Sequence, residues 1–162
     1  MKVAIVMGSK SDYPVVERAE RILAAFAVDY ETRIISAHRT PSVAEEFAAG
    51  AEKNGIEVII AAAGKAAHLA GVLAAYTPLP VIGLPIKSST LDGLDSLLSI
   101  VQMPKGVPVA TVAIDGAENA ALLAIQILSL RYDELREEMR TYKENMEREV
   151  VRLDAEFQKE NQ

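Results

Sequence analysis

Two kinds of apolar pattern alternate along the chain. Val3–Met7 and Glu57–Ala62 are short aliphatic runs with almost no polar alternation, as strands buried on both faces of a parallel sheet require. Between them, Val15, Val16, Ala19, Ile22, Leu23 and Phe26 recur at helical spacing and put one apolar face on Pro14–Phe26. The same reading gives strands at Tyr30–Ile35, Pro80–Pro85 and Val107–Ile114. It gives helices at Ser42–Lys53, Leu91–Val101 and Ala117–Leu130, and the small-residue stretch Lys65–Tyr76 is helix-compatible.

Strand–helix alternation at this spacing implies right-handed crossovers and a parallel sheet covered on both faces. The expected fold is therefore α/β, a three-layer flavodoxin-like sandwich with a five-stranded parallel sheet. From Leu128 onward the pattern changes. Tyr132, Leu135, Met139, Tyr142, Met146, Val150, Leu153 and Phe157 follow in steps of three and four along an otherwise charged segment. That is one narrow stripe on a long C-terminal helical arm at about 131–159, close to a coiled-coil seam. A helix of about 25 residues extends roughly 38 Å at 1.5 Å per residue. Part of the stripe is expected to pack on another subunit, the alternative being a helix folded back on its own sheet. The 162 residues are read as a single domain, with a core at about 1–130.

Composition narrows the function classes. There is no cysteine, so no disulfide framework or thiolate metal site can form. The net charge is −6, with ten acidic and seven basic residues from Arg131 on, leaving thirteen and ten in the body. Neither part is a polycationic surface of the kind that neutralises a nucleic-acid backbone, so no nucleic-acid partner is expected. No apolar stretch reaches about 18 residues, and Met1–Met7 runs into a strand without a signal-peptide cleavage site. No membrane association is expected, and the expected location is cytoplasmic.

Ligands in such sheets bind outside the carboxyl ends of the strands. The chain has two histidines, and both fall there, His38 after Tyr30–Ile35 and His68 after Glu57–Ala62. Imidazole titrates near neutrality and can give and take a proton within one turnover. The first loop, Met7-Gly8-Ser9-Lys10-Ser11-Asp12, offers hydroxyls at a helix start, an arrangement that suits an anion. It lacks the glycine spacing of a phosphate-binding or dinucleotide loop, and Ser11 or Asp12 could simply cap the helix with Pro14 in its first turn. In the second loop, Ser36-Ala37-His38-Arg39-Thr40-Pro41, Arg39 can grip a phosphate bidentately beside a proton-carrying imidazole. Thr40 and Pro41 read as an ordinary helix start. The third loop, Ala62–Gly71, is rich in small residues that let a flat ligand approach the backbone.

The ordered set Met-Gly-Ser-Lys-Ser-Asp (7–12), Ser-Ala-His-Arg-Thr-Pro (36–41), Ala-Ala-His-Leu (66–69) and Leu-Asp-Ser-Leu-Leu-Ser-Ile-Val-Gln-Met-Pro (94–104) closely resembles the bacterial PurE family. The match runs from about residue 2 to residue 130. The resemblance implies an N5-carboxyaminoimidazole ribonucleotide mutase of purine biosynthesis that needs no metal, nucleotide or prosthetic group and assembles as a homo-octamer. Its substrate would be a small phosphoribosyl aminoimidazole. The resemblance assigns His38 as general acid–base and His68 as a second histidine near the base ring. Ser9, Asp12 and Arg39 correspond to substrate-binding positions, and Ser11, Ser36, Gly64, Lys65 and Ala66 complete the expected contact set. Two departures stand out. Lys65 occupies a position where the family commonly has glycine, and Ala70 stands where it has proline. A same-fold carboxylase using free carbon dioxide is the nearest rival. A non-catalytic receiver-like module is disfavoured, because only Asp12 lies near the end of the first strand.

Overall fold

The computed structural model describes residues 1–161. Five strands, β1 (Lys2–Met7), β2 (Asp29–Ile34), β3 (Val58–Gly64), β4 (Val81–Ile86) and β5 (Ala110–Thr111), form one sheet in the order β2-β1-β3-β4-β5. Every pairing is parallel. Six helices accompany them: α1 (Tyr13–Ala25), α2 (Pro41–Gly50), α3 (Leu69–Tyr76), α4 (Leu94–Val101), α5 (Ala117–Leu128) and α6 (Asp133–Glu160). The expected sandwich is what forms.

Side chains of a strand alternate between faces, so each aliphatic run feeds two cores. Val3, Ile5 and Met7 of β1, with Val58 and Ile60 of β3, pack under α1 and α5. Ala4 and Val6, with Ile59 and Ala61, pack on the opposite face against Ala44, Leu69, Leu73 and Ile100 from α2, α3 and α4. Burial on both faces explains the lack of polar alternation in β1 and β3. The edge strand β2 is partly exposed along its length, and its residues Asp29–Ile34 are correspondingly more polar.

Among the bounds that differ from the sequence reading, three have a clear backbone reason. α3 starts at Leu69 rather than at Lys65, because Lys65 has φ +56° and cannot enter a right-handed helix. α4 starts at Leu94 rather than Leu91, because Leu91, Asp92 and Gly93 all have positive φ. The fifth strand covers two residues instead of Val107–Ile114. Pro108 has no N–H to give a ladder, and only Ala110 and Thr111 pair with Ile82 and Gly83. Val109 and Val112 still pack into the two cores, which is why the segment reads as a strand.

The C-terminal stripe divides at Tyr142. Leu135 and Met139 are buried with α5, and the Phe26 and Tyr142 rings lie 5.6 Å apart. Met146, Val150, Leu153 and Phe157 are 47%, 65%, 50% and 61% exposed on the part of α6 that continues outward. The first half therefore folds back on its own chain, and the second half presents an uncovered apolar seam.

Gly83, in the middle of β4, is a packing requirement. A Cβ there would lie 2.2 Å from Ile100 Cγ2 and 3.0 Å from Val109 Cγ1. Gly83→Ala is expected to cost about 1–3 kcal/mol through overpacking, read as a lowered urea midpoint. An unchanged midpoint would show that α4 can move aside freely.

Candidate active site

The strand order reverses at β1. α1, which follows β1, covers one face of the sheet, while α3, which follows β3, covers the other. The loops leaving the neighbouring ends of β1 and β3 must therefore diverge, and a cleft opens between them. It has a volume of about 580 Å³ and is lined from four loops. Ser9, Ser11 and Asp12 come from the first, Ser36, His38 and Arg39 from the second, and Gly64, Lys65, Ala66 and His68 from the third. All ten residues singled out in the sequence line this one cleft. The fourth loop adds Lys87 and Ser88, which the sequence reading missed. The same rule about strand ends would have found them, since they directly follow β4.

The first loop folds on itself. Asp12 stands at the N-cap position of α1 without a side-chain capping bond, and Ser9 caps the short turn before it: Ser9 Oγ accepts from the Ser11 N–H at 3.3 Å, and Asp12 Oδ2 accepts from the Ser9 N–H at 3.2 Å. This reciprocal box closes a single 3-10 turn ahead of α1. The Ser11 hydroxyl lies 2.9 Å from Ser9 Oγ and 3.3 Å from Asp12 Oδ1. Asp12 is buried at 8% exposure, and this burial raises its carboxyl above the ordinary 3.8. Hydrogen bonds from Ser11 and Ser9 and the charge of Arg39 pull the other way without cancelling it.

In the second loop, Thr40 Oγ1 accepts from the Ser36 N–H and donates to the Ser36 carbonyl, both at 3.0 Å. Thr40 thus closes the loop with its side chain while standing at the N-cap position of α2, with Pro41 as the first helical residue. Ser36 Oγ accepts from the Arg39 N–H at 3.2 Å and from Arg39 Nε at 3.3 Å, and Arg39 Nη2 donates to the Gly8 carbonyl at 2.8 Å. The guanidinium is held across β1 with its charge uncompensated by any ion pair among the described residues. His38 Nε2 lies 2.8 Å from His68 Nδ1, with the rings edge-on at 79°. One of these nitrogens donates to the other, and the tautomers of the two rings set which is the donor.

The third loop is tight at its root. A Cβ on Gly64 would sit 3.3 Å from the Ile86 carbonyl. Lys65 follows with φ +56°, and its ammonium has no hydrogen-bond or ion-pair partner among the described residues. Lys87, by contrast, pairs with Asp92 at 3.2 Å, and its N–H donates to Asp115 Oδ1 at 2.8 Å. The buried Ser96 hydroxyl, within 2.9 Å of the Ile86 carbonyl, ties α4 to the root of that loop. Among the described residues no three His, Asp or Glu side chains converge to hold a metal ion.

Residues 2–149 match the family model described as AIR carboxylase. An N5-carboxyaminoimidazole ribonucleotide mutase of Pyrococcus abyssi is 64% identical over 147 residues, covering 91% of this chain and 84% of that protein. A phosphoribosylaminoimidazole carboxylase of Candida albicans is 58% identical over 149 residues, 92% of this chain but 26% of that much longer protein. A crystal structure of Treponema denticola PurE superposes with a TM-score of 0.86 at 29% identity, covering 96% of this chain and 97% of that one.

Burial of Asp12 gives a signed pH effect. Its carboxyl binds a proton more tightly folded than unfolded, so folding stability falls as pH rises from 3.8 through the raised value. Asp12→Asn removes this dependence. Urea midpoints should show the variant gaining on the wild type across that window and holding level above it. A pH-independent difference there would contradict the burial argument.

Proposed function

Because the chain belongs to the AIR carboxylase family, we propose that it is an N5-carboxyaminoimidazole ribonucleotide mutase, an isomerase of purine biosynthesis. It moves the carboxyl group from the exocyclic nitrogen of the substrate to carbon 4 of the imidazole. The observation that carries the reading is the His38–His68 contact at the wall of a cleft that also holds an unpaired guanidinium. The carboxylase name occurs on a relative of which this chain spans about a quarter, whereas the mutase name occurs on relatives of similar length. That favours the mutase over direct use of free carbon dioxide.

The steps balance on one proton. His38 donates it to the carbamate nitrogen as the C–N bond breaks, releasing carbon dioxide and neutral aminoimidazole ribonucleotide. Carbon 4, an enamine-type nucleophile, then attacks the carbon dioxide, and its hydrogen returns to His38 as a proton. His68 Nδ1 engages His38 Nε2, holding the ring and its tautomer through both transfers. Arg39 takes the phosphate, Ser9 and Ser11 offer hydroxyls, and Asp12 accepts from the ribose hydroxyls. Ser36 steadies Arg39, and Gly64 and Ala66 let the flat ring and the carbon dioxide lie against backbone. The sequence is redox-neutral and uses no metal, nucleotide or prosthetic group.

The working form is a homo-oligomer, proposed as an octamer in the cytoplasm. Support comes from the uncovered seam on α6 and from Tyr76, Leu94, Leu98 and Val101, all at least 44% exposed. An apolar groove of about 400 Å³ between α3 and Met103 reaches His68, so a neighbouring copy seated there would wall the site. Light scattering of the full chain reads the assembly.

The test is conversion of N5-carboxyaminoimidazole ribonucleotide without ATP. Turnover is expected, and His38→Asn should lose at least about 100-fold while still binding the 4-carboxylated product. Substantial turnover by that variant would remove His38 from its role.

A further inference from the structure

Among the charged groups at the cleft, Lys65 is the one whose position is hardest to account for by folding. Its φ of +56° belongs to a region that favours glycine, so a long side chain there is kept against a backbone penalty. Gly64, pressed against the Ile86 carbonyl, fixes the chain immediately before it. The other lysine at the cleft, Lys87, is drawn to Asp92 by an ion pair, and Arg39 is held by Gly8 and Ser36. Lys65 lines the cleft with no such partner among the described residues.

Its place relative to Arg39 matters. Arg39 follows β2 and Lys65 follows β3, with β1 between those strands. Two strand spacings separate their roots by about 9.6 Å. A ligand with anionic groups at opposite ends would therefore meet one cation at each. The buried carboxylate of Asp12 lies on the Arg39 side, in the loop after β1, and does not answer Lys65.

Resting on the proposed mutase reading, we propose that Lys65 is a specificity-determining residue whose ammonium pairs with the carboxylate of the substrate and of the product. It selects carboxylated ligands over the decarboxylated aminoimidazole ribonucleotide. A site that needs carbon dioxide delivered already attached gains from this selection, because the decarboxylated compound would otherwise occupy it unproductively. Between the two bonded states the migrating carbon is neutral carbon dioxide. The ammonium therefore stabilises the two end states and not the species between them. Losing it should raise KM without lowering kcat, a split that a general disturbance of the loop would not give.

The experiment measures binding by calorimetry of two ligands, 4-carboxy-5-aminoimidazole ribonucleotide and 5-aminoimidazole ribonucleotide, to wild type, Lys65→Met, Lys65→Gly and Lys65→Arg. Glycine suits the positive φ, so folding of that variant is not threatened. Both neutral variants should bind the carboxylated ligand about tenfold more weakly, the scale of one charge-assisted hydrogen bond, and the decarboxylated ligand within about twofold. Lys65→Arg should retain the discrimination, and Lys65→Met should show the raised KM with undiminished kcat. Equal loss on both ligands, or no loss on either, overturns the proposal. A wild type that binds both ligands but never turns over N5-carboxyaminoimidazole ribonucleotide sinks the mutase reading instead, while the ligand ratio still decides Lys65.

Discussion

A parallel sheet can change the direction in which its strands are added only by sending neighbouring helices to opposite faces. In this chain that happens at β1 and β3, and nearly everything at the site depends on it. Neither loop can cover the other, so backbone, hydroxyls and two imidazoles from four separate strand ends face one opening. The aliphatic runs that fill both cores hold these strand ends rigidly. Gly83 and Gly64 allow the close approach of β4 to α4 and to β3.

Within the opening, polar groups are spent on each other before any ligand arrives. Ser9 and Asp12 close one turn, Thr40 and Ser36 close another, and Arg39 is braced by Gly8 and Ser36. Bracing of this kind fixes a charge where a ligand will need it, at the cost of conformational freedom already lost in folding. The histidines follow the same logic. In the proposed reaction the hydrogen bond between His38 and His68 holds the ring that gives one proton and takes one back, so the pair ends a turnover in the charge state in which it began.

The strand–helix alternation and the ligand edge were legible because both follow from periodicity and topology. His38 and His68 could each be assigned to that edge, but their contact could not, since it joins loops 30 residues apart through a β1 strand that carries neither. Boundaries failed where local backbone overrode side-chain pattern. Lys65 and Leu91 are helix-tolerant residues held at positive φ, and Pro108 denies a ladder to a segment whose valines still pack inward. Lys87 and Ser88 carry no motif that marks them in the sequence, although β4 ends at the cleft as β1, β2 and β3 do. The C-terminal stripe reads as uniform in sequence, since periodicity reports an apolar face and not what covers it. The fold supplies α5 as far as Tyr142 and leaves the remainder open.

The central claim is that one carboxyl group crosses from nitrogen to carbon without leaving the cleft. Substrate labelled with carbon-13 in the carboxyl group, turned over in unlabelled bicarbonate without ATP, tests it most directly. Product that keeps the label in its 4-carboxylate is the predicted result. Product formed with the label washed out into the bicarbonate pool would contradict an enclosed transfer and make the protein a carboxylase of free carbon dioxide.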